Sequence, residues 1–169
     1  QEGRFRSVSL FTGAPLRGPI NEGRADFVPI FLSDIPGLFL SGQVKLDAAL
    51  LTLSVPDRHG FCTLGTSVDA ARAAADTARL VIAEVNSQMP RTRGNVVVPF
   101  GRLDAFVAND RPLHEHASGA ETDVEAAIGE QIANLVEDGS TLQMGIGGIP
   151  DAVLRRLGNK LELGVHTEM

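Results

Sequence analysis

Two short apolar runs separated by a helix of small residues constrain this chain most. Leu46–Leu53 (LDAALLTL) and Leu80–Val85 (LVIAEV) each have the length and bulk of a buried strand. Between them Ser67 reads as an N-cap, and Val68, Ala71, Ala74, Ala75 and Ala78 form one helical stripe. Nearly all of that stripe is alanine, so the helix can lie close against a sheet. A strand, a helix and a strand with connections this short predict a parallel βαβ unit. Asp26–Leu32 (DFVPIFL) reads as a further buried strand.

Composition limits what such a chain can do. With eight Phe and neither Trp nor Tyr, core volume must come from Val, Leu, Ile and Ala, as parallel sheets arrange it. A net charge of −6 argues against a nucleic-acid partner, because phosphate backbones select a basic face. The single Cys62 cannot form an internal disulfide, which fits a reducing compartment. No apolar run approaches the roughly 20 residues that cross a bilayer, and no basic-then-apolar leader opens the sequence. The expectation is a soluble, cytoplasmic protein without nucleic-acid or membrane partners.

The first α/β segment is expected to span residues 1–112. Arg111–Gly119 (RPLHEHASG) has linker composition, and residues 113–120 are assigned as the joint. A second α/β unit is expected over 121–169. Thr122 and Glu125 make a capping box, followed by Val124, Ala127, Ile128, Ile132, Leu135 and Val136 as an apolar helix face. Gly139 sits where a left-handed C-terminal cap is expected. Thr141–Ile146 then reads as a strand, Pro150–Leu157 as a helix and Leu163–His166 as a strand. The predicted class is α/β with an open, mostly parallel sheet: one nearly complete domain plus the beginning of a second, related one. A lone βαβ unit leaves strand edges and a sheet face uncovered, hence the expectation that residues 121–169 are only a beginning.

The most informative stretch is Leu142–Pro150, LQMGIGGIP. Gly145, Gly147 and Gly148 fall between a strand and a helix, where a side chain would block a ligand from the backbone. Amide N–H groups in such a turn favour an anion or a developing oxyanion. Pro150 suits the first helical position, whereas Ile149 is a poor N-cap, so the turn is not optimised for helix stability alone. The spacing is not the dinucleotide pattern GxGxxG, because Asp151 replaces the third glycine. If the last two strands are parallel, Gly145 and Glu168 both lie at a carboxyl edge, where open α/β sheets hold their ligands. A carboxylate facing a bank of amide donors can do acyl chemistry. A close-packed turn without a ligand, and a solvated glutamate, stay open as readings of these residues alone.

GIGGIPDAVL followed by HTEM resembles the acetyl-CoA hydrolase/transferase family, which includes 4-hydroxybutyrate and acetate coenzyme A transferases. GRADFVPIFLSDIP from Gly23, SVPDRHGFCTLGTSVD from Ser54 and IAEVNSQMPRTRGN from Ile82 resemble the same family in order and spacing. The resemblance implies two related α/β domains with the active site between them. It implies a glutamyl–coenzyme A thioester on Glu168, and a coenzyme A-binding loop of Gly145, Ile146, Gly147, Gly148 and Ile149. Acyl-CoA and a small carboxylic acid are then the substrates, with no permanently bound cofactor and a homo-oligomer, a dimer, as the assembly. It further implies that the family pattern extends beyond both ends of this sequence. An acyl-CoA hydrolase on the same scaffold and a non-catalytic fragment or assembly subunit are the alternatives. A sugar-phosphate isomerase would need a basic phosphate pocket that the sequence does not display.

Other polar residues have two readings each. Asn86, Gln88 and Pro90 follow a strand and could bind an acyl carboxylate or pantetheine amides, or simply build a turn. Arg91 and Arg93 could meet the 3′-phosphate of coenzyme A, or be solvated. His59 and Gly60 belong to a loop with no identifiable base. His114 and His116 flank Glu115, but a metal site needs more convergent ligands, so none is expected. Cys62 reads as packed rather than reactive.

Overall fold

The computed structural model describes residues 3–115 and 119–167, and the chain divides into two compact units, Gln1–Leu113 and His114–Met169. The first unit opens with β1 (Val8–Ser9), α1 (Ala14–Asn21), β2 (Asp26–Phe27) and α2 (Ile35–Leu40). It continues with β3 (Ala48–Ser54), β4 (Phe61–Thr63), α3 (Ala71–Thr77), β5 (Leu80–Asn86), β6 (Val97–Pro99) and β7 (Ala105–Asn109). Strands β3, β5 and β7 form a wholly parallel sheet in that order, and β3–α3–β5 is the expected βαβ unit. The strands β4 and β6 form a separate antiparallel pair, which the sequence reading did not anticipate.

The core lies on one face of the parallel sheet. Leu51, Leu53, Val81, Ala83 and Val85 pack there with Ala75 and Ala78, and with Cys62, Leu64, Val96 and Val98 from around the antiparallel pair. The alanine stripe does what its size permits, since small side chains let the helix approach the strands. The other face carries Leu50 and Val107 at 78% and 66% exposure. Register places Ser54, Asn86 and Asn109 side by side at the carboxyl edge.

Two expectations in this unit need correction. The run Asp26–Leu32 is not one strand: only Asp26 and Phe27 pair with β1, and a 3-10 turn over Leu32–Asp34 follows. Pro29 explains the break, because it has no N–H to donate to a ladder. Ser67 is not the N-cap of α3. The helix begins after Ala70, while Ser67 N–H closes a turn onto the Leu64 carbonyl. Asp69, at φ +25°, interrupts any earlier helical start.

The second unit contains α4 (Asp123–Leu135), β8 (Thr141–Leu142), α5 (Gly148–Leu154) and β9 (Gly164–Val165). The strands β8 and β9 are adjacent and parallel, with Thr141 opposite Gly164 and Leu142 opposite Val165. They are shorter than predicted, because the irregular glycine turn begins directly after Leu142. The capping box is present: Glu125 N–H donates to Thr122 Oγ1, and the Glu125 carboxylate accepts from Thr122 N–H at 2.8 Å. The apolar face of α4 needs correction. Gly129 and Ala133 are its buried residues, whereas Val124 and Leu135 are 68% and 81% exposed. A β-carbon on Gly129 would lie 2.9 Å from the backbone of Ala152, so α4 and α5 cross closely there and small residues take the inner face. Gly139 has φ +75° as expected, but it turns the chain three residues beyond the C-cap Val136 and does not itself cap the helix.

Candidate active site

Each glycine of the turn between β8 and α5 has a different reason to be there. Gly147 is the N-cap of α5 and adopts φ +125°, a conformation side chains resist. The helix therefore starts at Gly148, and Pro150 occupies its third position rather than the first, with Ile149 at the second. Gly148 is set by packing: a β-carbon there would fall 2.0 Å from a carboxylate oxygen of Glu125. Gly145 needs neither explanation. Its φ is not positive, and the nearest atom to an added β-carbon would be Pro150 Cγ at an ordinary 3.7 Å. Like Gly147 and Gly148, it is exposed. Ile146 and Ile149 flank it with exposed apolar side chains.

A hollow of about 350 Å³ lies beside the turn, bordered by Glu121, Glu125, Gly147, Gly148, Asp151 and Arg155. Hydrogen bonds from Arg156 hold the Glu121 carboxyl below the usual range, and those from Thr122 do the same for Glu125. Carboxylates thus outnumber the cation that lines this hollow. The Met144–Gly145 side of the turn lies outside that lining.

That side is tied to the end of β9. His166 N–H donates to the Leu142 carbonyl at 2.9 Å, and Thr167 Oγ1 donates to the Met144 carbonyl at 2.8 Å. The residue preceding Glu168 is therefore anchored to the residue preceding Gly145. Glu168 itself lies outside the described residues, as does His116. Nothing in the sequence reading singled out Thr167 or Met144, and adjacency to Glu168 was the available signal.

The polar residues of the first unit are occupied structurally. Asn86 is buried; its amide donates to the Arg111 carbonyl, and its Oδ1 accepts from Gln88 N–H. Gln88 donates to Asp110 at 2.6 Å. Arg91 is exposed, yet its guanidinium is engaged: it bonds the carbonyls of Val55 and Phe61 and the Asp57 carboxylate. Together with Ser54, which accepts from Thr63, and Thr92, which donates to the Gly65 carbonyl, these contacts stitch the loops at the sheet's carboxyl edge. Met89 is packed under Gly65, where a β-carbon would meet its sulfur at 2.0 Å.

The remaining candidates hold no recognisable chemistry. Arg93, His59 and His114 are exposed, and His59 accepts from the Arg58 guanidinium. Burial pushes the Cys62 thiol up, consistent with a packed residue. Among the described residues no three His, Cys, Asp or Glu side chains converge as a metal site would require, and no helix is long and apolar enough to cross a membrane.

Comparison with known proteins supplies a context for this geometry. A family model described as the acetyl-CoA hydrolase/transferase N-terminal domain matches residues 1–114. A succinyl-CoA:acetate/propanoyl-CoA:succinate CoA transferase from Fasciola hepatica is 55% identical over 169 residues, covering 99% of this chain and 35% of that protein. A 4-hydroxybutyrate coenzyme A transferase from Clostridium kluyveri is 48% identical, covering 98% and 38% respectively. Among solved structures, RipA from Yersinia pestis aligns with TM-score 0.87 at 34% identity, over 96% of this chain and 39% of that one. A 4-hydroxybutyrate CoA-transferase from Porphyromonas gingivalis aligns with TM-score 0.78 at 38% identity, over 97% and 42%. The chain thus spans well under half the length of these relatives.

Proposed function

This chain belongs to the acetyl-CoA hydrolase/transferase family, and from that membership we propose that it forms part of an acyl-CoA:carboxylate CoA transferase working through a glutamyl-CoA thioester on Glu168. The observation that carries the reading is the pairing of two parallel strands whose following residues meet, Thr167 bonding Met144 at 2.8 Å. In sequence, the proposed nucleophile directly follows the residue that is bonded to the start of the glycine turn.

A glutamate suits the chemistry because it is already ionised at neutral pH and needs no base to activate it. Its oxygen attacks the thioester carbonyl of the acyl-CoA, the C–S bond breaks, and CoA thiolate leaves behind an acyl–glutamyl anhydride. The thiolate attacks the glutamyl carbonyl, expels the first carboxylate and forms glutamyl-CoA. A second carboxylate attacks that thioester and again displaces thiolate. The thiolate then takes the new acyl group from the anhydride and regenerates Glu168. No net proton is consumed.

Residues Gly145 to Ile149 bind coenzyme A and present amide donors to the oxygen that becomes negative. Gly145 supplies close backbone approach, and Ile146 and Ile149 offer apolar surface. The names of the relatives support a small carboxylic acid as acceptor.

Steady-state CoA transfer by the whole protein carrying this chain tests the reading. Glu168→Gln keeps size and shape but removes the ionised nucleophile, so turnover should fall by orders of magnitude while coenzyme A still binds. Preserved turnover would contradict it.

A further inference from the structure

We propose that Thr167 is a positioning residue for transfer, acting through its hydroxyl on the Met144–Gly145 peptide; this rests on the reading of Glu168 given above. The hydroxyl donates to the Met144 carbonyl at 2.8 Å, across 23 residues of sequence, from a half-buried position. A trans peptide is planar, with its C=O and N–H pointing in opposite directions. Holding the Met144 oxygen therefore fixes the direction of the Gly145 N–H, a donor at an exposed glycine of the turn.

The same bond fixes the backbone from which residue 168 departs. The pairing of β8 with β9 ends just before it, at the bond from His166 N–H to the Leu142 carbonyl. Beyond that point, among the described residues, the Thr167 hydroxyl is the hydrogen bond joining the two segments. Gly145 is free of the packing that fixes Gly148, so its orientation needs such an anchor. One side chain thus couples the orientation of a donor to the backbone that directly precedes the proposed nucleophile. Displacements of an ångström at such a place cost large factors in rate.

The test uses the whole protein and compares Thr167→Val, Thr167→Ser and Glu168→Gln. Thr167→Val keeps the shape and loses the hydroxyl. It should lower kcat by about tenfold or more and slow formation of glutamyl-CoA in a single turnover, with KM for acyl-CoA changed much less. Thr167→Ser keeps the hydroxyl and should restore kcat to within about threefold of the parent. If the valine variant fails to accumulate folded, Thr167→Ala replaces it in the comparison with serine. Unchanged kcat in Thr167→Val, or serine as slow as valine, would overturn the proposal while leaving Glu168 untouched. Full turnover in Glu168→Gln would overturn the covalent reading and this proposal together.

Discussion

The Glu125 carboxylate occupies the space that a β-carbon on Gly148 would need, with 2.0 Å between them. A capping glutamate on α4 and the first residue of α5 therefore exclude each other's growth. Gly148→Ala should destabilise the protein although alanine is the better helix former, because it must push Glu125 out of its box with Thr122. In a Glu125→Ala background the same substitution should be neutral or stabilising. A double-mutant cycle on thermal unfolding reads this directly; additive effects would show that the two residues do not compete.

Gly129 is a harder case, since its neighbour is backbone. An added methyl would lie 2.9 Å from the carbonyl carbon and oxygen of Ala152. On an open helix Gly→Ala gains up to about 1 kcal/mol. Here overpacking, typically 1–3 kcal/mol, outweighs that gain, so Gly129→Ala should lower the melting temperature. A raised melting temperature would mean that the two helices are not packed this closely.

Acid should loosen the second unit. Hydrogen bonding keeps the Glu121 and Glu125 carboxyls ionised below the usual glutamate range in the folded chain. A folded pKa below the unfolded one means that the unfolded chain takes up protons first as pH falls. The stabilisation is complete above the ordinary glutamate range and disappears as pH falls through the lower, folded values. Thr122→Ala removes the hydroxyl's bonds with Glu125 and keeps the bond from the backbone N–H of residue 122. It should cost about 1 kcal/mol at neutral pH and lessen this acid dependence without abolishing it, as denaturant titrations across the acid range would show.

Ion pairs of similar appearance should differ in worth. Arg91 ties two carbonyls and Asp57 into one loop, whereas Arg79 and Asp47 stand 3.8 Å apart and largely in water. Arg79→Ala should be close to neutral, as exposed pairs are. Arg91→Ala should destabilise measurably, and Arg91→Lys should not fully rescue it, because an ammonium cannot reproduce the guanidinium fork. Equal effects at the two positions would contradict the clamp.

The elements that the sequence made legible are those in which pattern and packing agree. The strands at Leu46–Leu53 and Leu80–Val85, the alanine stripe and the Thr122–Glu125 box all satisfy local and tertiary demands at once. Failures came where another constraint took over. Pro29 broke an apolar run, and Asp69 delayed a helix. Close helix crossing at Gly129 turned Val124 and Leu135 outward, although periodicity assigned them to the buried face. The glycine turn was visible as a turn, but the separate reasons for Gly145, Gly147 and Gly148 depend on Glu125 and on backbone angles that no spacing reveals. Thr167 was invisible for the same reason, since its partner is a carbonyl 23 residues earlier.

The central claim is a covalent bond on Glu168, and mass spectrometry tests it most directly. The whole protein is incubated with acyl-CoA, treated with borohydride and digested. A glutamyl thioester would be reduced to the alcohol, so the peptide containing Glu168 should lose one oxygen and gain two hydrogens, only when acyl-CoA was present. The same change on another glutamate, or an unaltered Glu168 peptide from protein that is turning over, would contradict the account.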